Sequence, residues 1–385
     1  MGSGCREVLI VAGEASADRY GARLVERLRE RCGAEQLRFF GTGGDEMAEA
    51  GVRLVGHVRE LGSIGPREAL SHLLKYREVY RRILRECAQR RPAVAVLIDF
   101  PEFNLRLAKR LKRAGIKVVY YVSPQLWAWR RGRVRIVRRS VDRMAVILPF
   151  EEEFYRRRGV AAEFVGHPIL EDFAPDRNRD RFLQPLGLDP LRPTLALLAG
   201  SRRREVEYIL PVLLRASLLV LGRMPAQFLV SVARTIEERR IHAIMEEIVG
   251  RDQRRFFRTA AAPARDVLAC CDFAFVKSGT STLEAALAGT PFLIVYRISP
   301  ASWLAGRILV RSRWKGLVNL VAGEEIVPEF FQGRATPEVL ASVALRYLGS
   351  PEEMQAMRTR LARVRELLGV RRASESVAAM VAQYL

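Results

Sequence analysis

Short continuous apolar runs alternate along the chain with longer stretches in which apolar positions recur at helical spacing. The runs at 8–12, 37–40, 94–98, 117–122 and 143–148 are β-branched and aromatic, without the in-out alternation of a half-exposed strand. Strands covered on both faces read this way. Between them lie amphipathic stretches of helix length, 19–31 and 103–113 among them. Strand and helix in turn predict βαβ units and a parallel, doubly wound sheet. The alternation pauses after His167-Pro168, where 171–193 carries Pro175, Asn178, Pro185, Gly187, Pro190 and Pro193. It then restarts, with strands expected at 194–199, 227–232, 273–276 and 291–295 and helices at 205–222, 236–249 and 280–288. No strand-like run follows Phe331. The pattern therefore predicts an α/β chain of two Rossmann-like doubly wound domains. The first spans 1–170 and the second 194–345, with a linker at 171–193 and a helical tail at 346–385 that packs back on the first domain. Ligands of such sheets bind beyond the carboxyl ends of the strands, so the expected site is a cleft faced by both domains.

Composition narrows the function. Of 385 residues, 49% are apolar and 28% charged, which fits a globular protein and excludes a disordered one. Sixty-four basic residues against 43 acidic give a net charge of +21, carried almost wholly by Arg, and this predicts an anionic partner. Cys5, Cys32, Cys87, Cys270 and Cys271 form no C-x-x-C pair and no disulfide framework, which favours a reducing compartment. His57, His72, His167 and His242 stand apart from one another and from the cysteines, so no metal site is expected. Glu7 and Glu14 bracket the first apolar run, unlike a signal peptide. Glu207, Pro211 and Arg215 interrupt the longest apolar stretch, 206–222, so no bilayer span is expected.

Five segments that come after strands are candidates for chemistry, of unequal strength. In Lys277-Ser278-Gly279-Thr280-Ser281-Thr282-Leu283-Glu284, a buried strand gives way to a Ser-Gly-Thr turn and then a helix. Free N–H groups and the dipole at such a helix start favour phosphate, and Glu284, one turn in, can accept from ribose hydroxyls. A plain capped strand-turn-helix is the competing account. Gly200-Ser201-Arg202-Arg203-Arg204-Glu205 also opens a helix after a strand; its arginines oppose the helix dipole, so a role for Arg202 on a leaving diphosphate is the better explanation. Asp99 in Asp99-Phe100-Pro101-Glu102-Phe103-Asn104 sits at the end of a buried strand, as a catalytic base or as a simple helix cap. Gly13-Glu14-Ala15-Ser16-Ala17-Asp18 lacks the G-x-G-x-x-G fingerprint, and Gly41-Thr42-Gly43-Gly44 is a generic glycine loop. Basic and aromatic residues also cluster in 127–135, in 69–88 and around Trp303, Leu304, Ile308 and Trp314 with Arg307, Arg311, Arg313 and Lys315. Each stretch alone reads as a helix with a solvated basic face; three together point to an anionic lipid surface.

Taken together, the blocks resemble the lipid-A-disaccharide synthase family, over nearly the whole chain. The blocks are Ala12-Gly13-Glu14-Ala15-Ser16-x-Asp18, Asp99-x-Pro101-Glu102-Phe103-Asn104, Tyr121-Val122-Ser123-Pro124-Gln125-Leu126-Trp127-Ala128-Trp129-Arg130, Leu148-Pro149-Phe150-Glu151 and Gly166-His167-Pro168, then Gly200-Ser201-Arg202, Ser278-Gly279-Thr280-x-Thr282-Leu283-Glu284, Asn319-Leu320 and Val327-Pro328-Glu329. The Ser-Gly-Thr…Glu block is shared with other two-domain nucleotide-sugar transferases; the Ser-Pro-Gln-Leu-Trp-Ala-Trp and Gly-Glu-Ala-Ser blocks are far more specific. Ala17 stands where the family usually has Gly, which would strain a turn needing positive φ.

The resemblance implies a GT-B glycosyltransferase that joins UDP-2,3-diacylglucosamine to the 6-hydroxyl of 2,3-diacylglucosamine 1-phosphate, inverting the anomeric carbon. It implies Asp99 as base, with Arg202, Glu14 and Ser16 as further catalytic candidates. Gly200, Ser201, Arg202, Ser278, Gly279, Thr280, Glu284 and Asn319 would hold the UDP-sugar, with Lys277 a further cation for the diphosphate. No Asp-x-Asp motif occurs, and no cofactor or metal is implied. Both substrates carry phosphate and acyl chains, so a cytoplasmic protein resting on the inner face of the membrane is expected, with a homodimer open to it. Two readings compete: a peptidoglycan-precursor UDP-GlcNAc transferase of the same class, and a basic nucleic-acid-binding protein. The second predicts a steep salt dependence, and the Trp and Tyr pattern forms no stacking platform, so nucleic acid is not an expected partner.

Overall fold

The computed structural model describes residues 5–61, 69–298, 314–369 and 372–385, with side chains from residue 74 onward in the helix Ala69–Arg90. The chain divides into two compact units. One comprises Met1–Glu171 with Leu368–Leu385, and the other Asp172–Leu367.

In the first unit seven strands form one parallel sheet: β1 (Arg6–Ala12), β2 (Leu37–Gly43), β3 (Arg53–His57), β4 (Val94–Ile98), β5 (Lys117–Tyr121), β6 (Arg143–Val146) and β7 (Ala162–Phe164), in the order β3-β2-β1-β4-β5-β6-β7. β1 shows why the sheet is covered twice. Leu9 and Val11 enter a core with Val79 and Ile83, while Val8, Ile10 and Ala12 enter another with Leu24, Val25 and Leu28. Successive side chains leave a strand on opposite faces, so a wholly apolar strand needs a helix layer on each. The second unit has six parallel strands: β8 (Thr194–Leu198), β9 (Gln227–Ser231), β10 (Phe257–Ala260), β11 (Phe273–Lys277), β12 (Phe292–Tyr296) and β13 (Glu329–Phe331), ordered β10-β9-β8-β11-β12-β13. In each sheet the chain runs outward from a central strand, returns, and continues on the other side. The strand order therefore reverses between β1 and β4, and again between β8 and β11. These two switch points are where an open α/β sheet leaves a crevice for ligand.

The sequence pattern misses β3, β7, β10 and β13, and all four are sheet edges. Arg53–His57 and Phe257–Ala260 mix polar and apolar residues because an edge strand is not enclosed on both faces. The stretch expected as a linker is folded into the second unit. Arg179 donates to the carbonyls of Pro190, Arg192 and Cys270 at 2.7, 2.9 and 3.0 Å and to the Asp272 carboxylate at 2.8 Å, tying a proline-rich coil to the sheet. The tail divides as well. Helix Pro351–Leu367 belongs to the second unit, while Ala373–Ala382 packs Ala373, Val377 and Val381 into the first unit's core. Glu171 fixes that last helix by accepting from the Ser374 N–H at 2.8 Å and its hydroxyl at 2.6 Å. Ala17 lies inside the helix Ala15–Cys32, buried, so the expected strain at this position does not arise.

Candidate active site

At the first switch point β4 ends in two successive left-handed residues, Asp99 (φ 49°) and Phe100 (φ 53°), before the helix Pro101–Arg113. Non-glycine residues pay for that conformation, so something must hold it. Here the Asp99 carbonyl accepts from the Asn104 amide at 2.8 Å and the Tyr120 hydroxyl at 2.6 Å, and its N–H donates to the Tyr121 carbonyl at 2.9 Å. Phe100 stacks on Phe103 (5.4 Å between centroids) and meets Tyr76. Its ring also closes on the turn after β1: a methyl group at Gly13 would lie 2.4 Å from it, so that position requires glycine. The turn brings Glu14 beside Asp99. Burial, and then the Glu14 carboxylate, push the Asp99 carboxyl up to about 6. Glu14 and Ser16 are exposed on the same turn. Asp18, two residues beyond Ser16, serves the fold: buried, it accepts from the N–H groups of Gly44, Glu46 and Met47 and so caps the helix Asp45–Glu49.

The second switch point is built differently. Gly200 (φ 115°) comes after β8 and Gly279 (φ 152°) after β11. Between these turns lies an ion pair, Lys277 Nζ to Glu205 Oε1 at 2.9 Å, with an Arg202 guanidinium nitrogen 3.7 Å from the same oxygen. Glu205 Oε2 is buried with no hydrogen-bond partner among the described residues, and a methyl group at Gly200 would sit 2.5 Å from it. Ser201, Arg202 and Thr280 are exposed; Ser278 and Gly279 are half-buried. The Ser278 hydroxyl donates to the Lys315 carbonyl at 3.1 Å, and the Thr282 hydroxyl to the Gly279 carbonyl at 2.8 Å, which locks the turn. Glu284 lies on the helix Ser281–Ala288; burial raises its carboxyl and the Ser281 hydroxyl bonded to it works the other way.

Asn319 differs from the contact residue expected of it. It is fully buried, its amide donates to the Val327 carbonyl and to Glu329 at 2.7 and 2.8 Å, and its oxygen accepts from Ile326 and Val327 N–H. Glu329 in turn accepts from the N–H of Lys315 and Gly316 at 3.0 and 2.9 Å. Asn319 therefore shapes the wall behind Ser278 and has no polar atom left for a ligand. Sequence reasoning did not find Glu205, Asn104 or Tyr120. Glu205 carried a signal, as the acidic residue closing a run of three arginines.

The other expected stretches fare unevenly. In the helix Ala69–Arg90, Ile83 and Cys87 are buried but Leu74 is 61% exposed, and the side chains of Leu70 and Leu73 lie outside the described residues. Trp303, Leu304, Arg307, Ile308, Arg311 and Arg313 also lie outside them. Among the described residues no group of three His, Cys, Asp or Glu could hold a metal, and no helix is long and apolar enough to cross a membrane.

Comparison with known proteins matches this architecture to one family. The model of the lipid-A-disaccharide synthetase family matches residues 8–382. Lipid-A-disaccharide synthase of Syntrophus aciditrophicus is 42% identical over 374 residues, 97% of this chain and 96% of the relative. That of Koribacter versatilis is 43% identical over 379 residues, covering 98% and 97%. Among solved structures, the glycosyltransferase of kitacinnamycin aligns with a TM-score of 0.64 at 13% identity, covering 98% of this chain and 99% of that one. The UDP-GlcNAc 2-epimerase of Neisseria meningitidis aligns at 0.66 and 10% identity, covering 98% and 100%. At such identities the likeness is one of fold, two parallel sheets of the GT-B class.

Proposed function

The chain belongs to the lipid-A-disaccharide synthase family of glycosyltransferases, and from that premise we propose that it transfers the sugar of UDP-2,3-diacylglucosamine to the 6-hydroxyl of 2,3-diacylglucosamine 1-phosphate. In this reading Asp99 accepts the hydroxyl proton as the oxygen attacks the anomeric carbon from the face opposite UDP. The carbon–oxygen bond to the diphosphate breaks, and the single displacement inverts the carbon. The observation that carries the assignment is the Asp99 carboxyl at the first switch point, raised to about 6 by burial and Glu14. A base of that strength is ionised at neutral pH yet still takes up a proton well, the compromise general-base catalysis favours.

The departing UDP gains negative charge. Lys277 and Arg202, with the N–H groups of Gly279 and Thr280, are the donors this reading assigns to it; the Ser278 N–H, expected among them, donates to the Val295 carbonyl at 3.0 Å instead, and Gly200 and Gly279 let backbone come close. Ser201 lies on the same turn, and Glu284 accepts from ribose. Glu14 acts through Asp99, with Ser16 beside it; Asn319 acts through the loop it braces. The net charge of +21 supports work at the anionic cytoplasmic face of the inner membrane.

Product analysis with the two glycolipids tests this. Wild type yields the β-1,6 disaccharide 1-phosphate and UDP, whereas Asp99→Asn binds UDP and turns over little. Equal use of non-acylated UDP-GlcNAc, or unchanged turnover in Asp99→Asn, overturns it.

A further inference from the structure

The loop after β5 has a buried root and a charged tip. At its root Val122 is left-handed (φ 64°), and Glu151 anchors the next turn, accepting from the Ser123 hydroxyl at 2.8 Å and the Trp127 indole N–H at 2.9 Å. Glu151 is almost wholly buried, and its other oxygen accepts from the Leu148 N–H. The Tyr155 hydroxyl donates to the Pro124 carbonyl at 2.6 Å, and Phe150 meets the Trp127 ring edge-on at 5.0 Å. A surface loop tied down this heavily presents its tip in one geometry.

At the tip, Arg130 has left-handed backbone (φ 55°) and lies over Trp129, 4.5 Å from the ring centre. Arg130 and Arg133 both reach Glu102, each with a nitrogen 2.6 Å from Oε1, and Arg133 adds a second bond to Oε2 at 3.1 Å. Arg106, one turn further along the same helix, also acts on Glu102, whose carboxyl these cations hold below the usual range. Three guanidinium groups thus surround one carboxylate, leaving an excess of two positive charges, and the carboxylate keeps two guanidinium forks together. Glu102 lies three residues from Asp99 in the same unit. Exposed ion pairs add little stability, so stability alone does not account for the cluster.

We propose that Arg130 and Arg133, supported by Arg106, form a phosphomonoester site that grips the phosphate of the sugar acceptor while its free hydroxyl lies at Asp99. This rests on the glycosyl-transfer reading above. A phosphomonoester carries about −1.5 to −2 charge and three acceptor oxygens, and two guanidinium forks match it better than a single carboxylate does. The exposed Trp129 face beside Arg130 offers a flat apolar rim on the same tip.

The test compares wild type with Arg130→Gln/Arg133→Gln, using 2,3-diacylglucosamine 1-phosphate and its dephosphorylated counterpart as acceptors. For the phosphorylated acceptor the variant should show KM raised about 10- to 100-fold, with kcat and donor KM little changed. Wild-type preference for the phosphorylated acceptor should collapse. Equal losses with both acceptors overturn the site. Calorimetry of each acceptor without donor keeps this separate from the function: phosphate-dependent binding by wild type that the variant loses supports the site even if no sugar is transferred, and its absence in wild type overturns it. Phosphatidylglycerol vesicles distinguish the source of the phosphate. A variant that loses vesicle binding while keeping its acceptor preference also overturns the proposal.

Discussion

The two switch points share a topology and differ in electrostatics. At the first, a carboxylate made more basic by burial and by Glu14 stands on strained backbone whose carbonyl Asn104 and Tyr120 hold. At the second, glycine turns open the backbone, and Lys277 and Arg202 share one buried acid, Glu205. A proton acceptor needs its charged form made costly, whereas a diphosphate holder needs cations and free N–H groups. The same crevice geometry suits either purpose, and in the proposed reading the side chains at the strand ends decide which. Different substitutions should therefore break each edge in its own way.

The largest effect is expected at Asp99. Asp99→Asn should cut turnover by about 10²- to 10⁴-fold, the usual span for a lost general base, with UDP affinity by calorimetry unchanged. In wild type kcat/KM should fall as pH drops through about 6, because the protonated carboxyl cannot accept. Stability runs the other way. A carboxyl raised in the folded state costs stability at pH above its folded value, and the cost vanishes as pH falls to the ordinary carboxylate range. Asp99→Asn should thus melt higher than wild type at alkaline pH, and the gap should close in acid.

Lys277→Met comes next, since it takes the nearer cation from Glu205 and leaves only the more distant Arg202. A loss of about 2–3 kcal/mol is expected in denaturant titration, short of that for a wholly buried pair because both side chains keep some exposure, together with weaker UDP binding. Adding Glu205→Leu should return most of the stability and none of the binding. Recovery of both would mean that the pair serves packing alone. Asn319→Ala should cost about 2–3 kcal/mol by releasing the 326–327 turn and unseating Glu329, with UDP affinity falling only as the loop loosens. A smaller cost, about 1–2 kcal/mol, is expected for Gly200→Ala from its positive φ and the close Glu205 oxygen. Its thermal shift should be modest and its rise in donor KM the clearer readout.

Much of this was legible in the chain. The nine inner strands read as apolar runs because they are enclosed on both faces, and the places of Asp99, Gly200 and Ser278 just past strand ends were legible for the same reason. The four edge strands were hidden, since a half-covered strand carries no continuous apolar signal. Asn319 was expected at the UDP-sugar, yet its side-chain atoms are all taken up in bracing the 326–327 turn, and Asp18, within another recognisable block, caps a helix. Recurrence in a motif does not separate a residue that touches substrate from one that holds the loop that does.

The sequence by itself determined the two doubly wound sheets, the strand ends at which the candidate residues stand and the family. Tertiary structure decided which groups work together: Glu205 with Lys277, Asn104 and Tyr120 with Asp99, Glu102 with Arg130 and Arg133, Glu171 with Ser374. The reason is range. Apolar periodicity is a local property that each strand or helix carries in its own residues. A hydrogen bond or ion pair between distant segments exists only after the sheet has brought their ends to one edge.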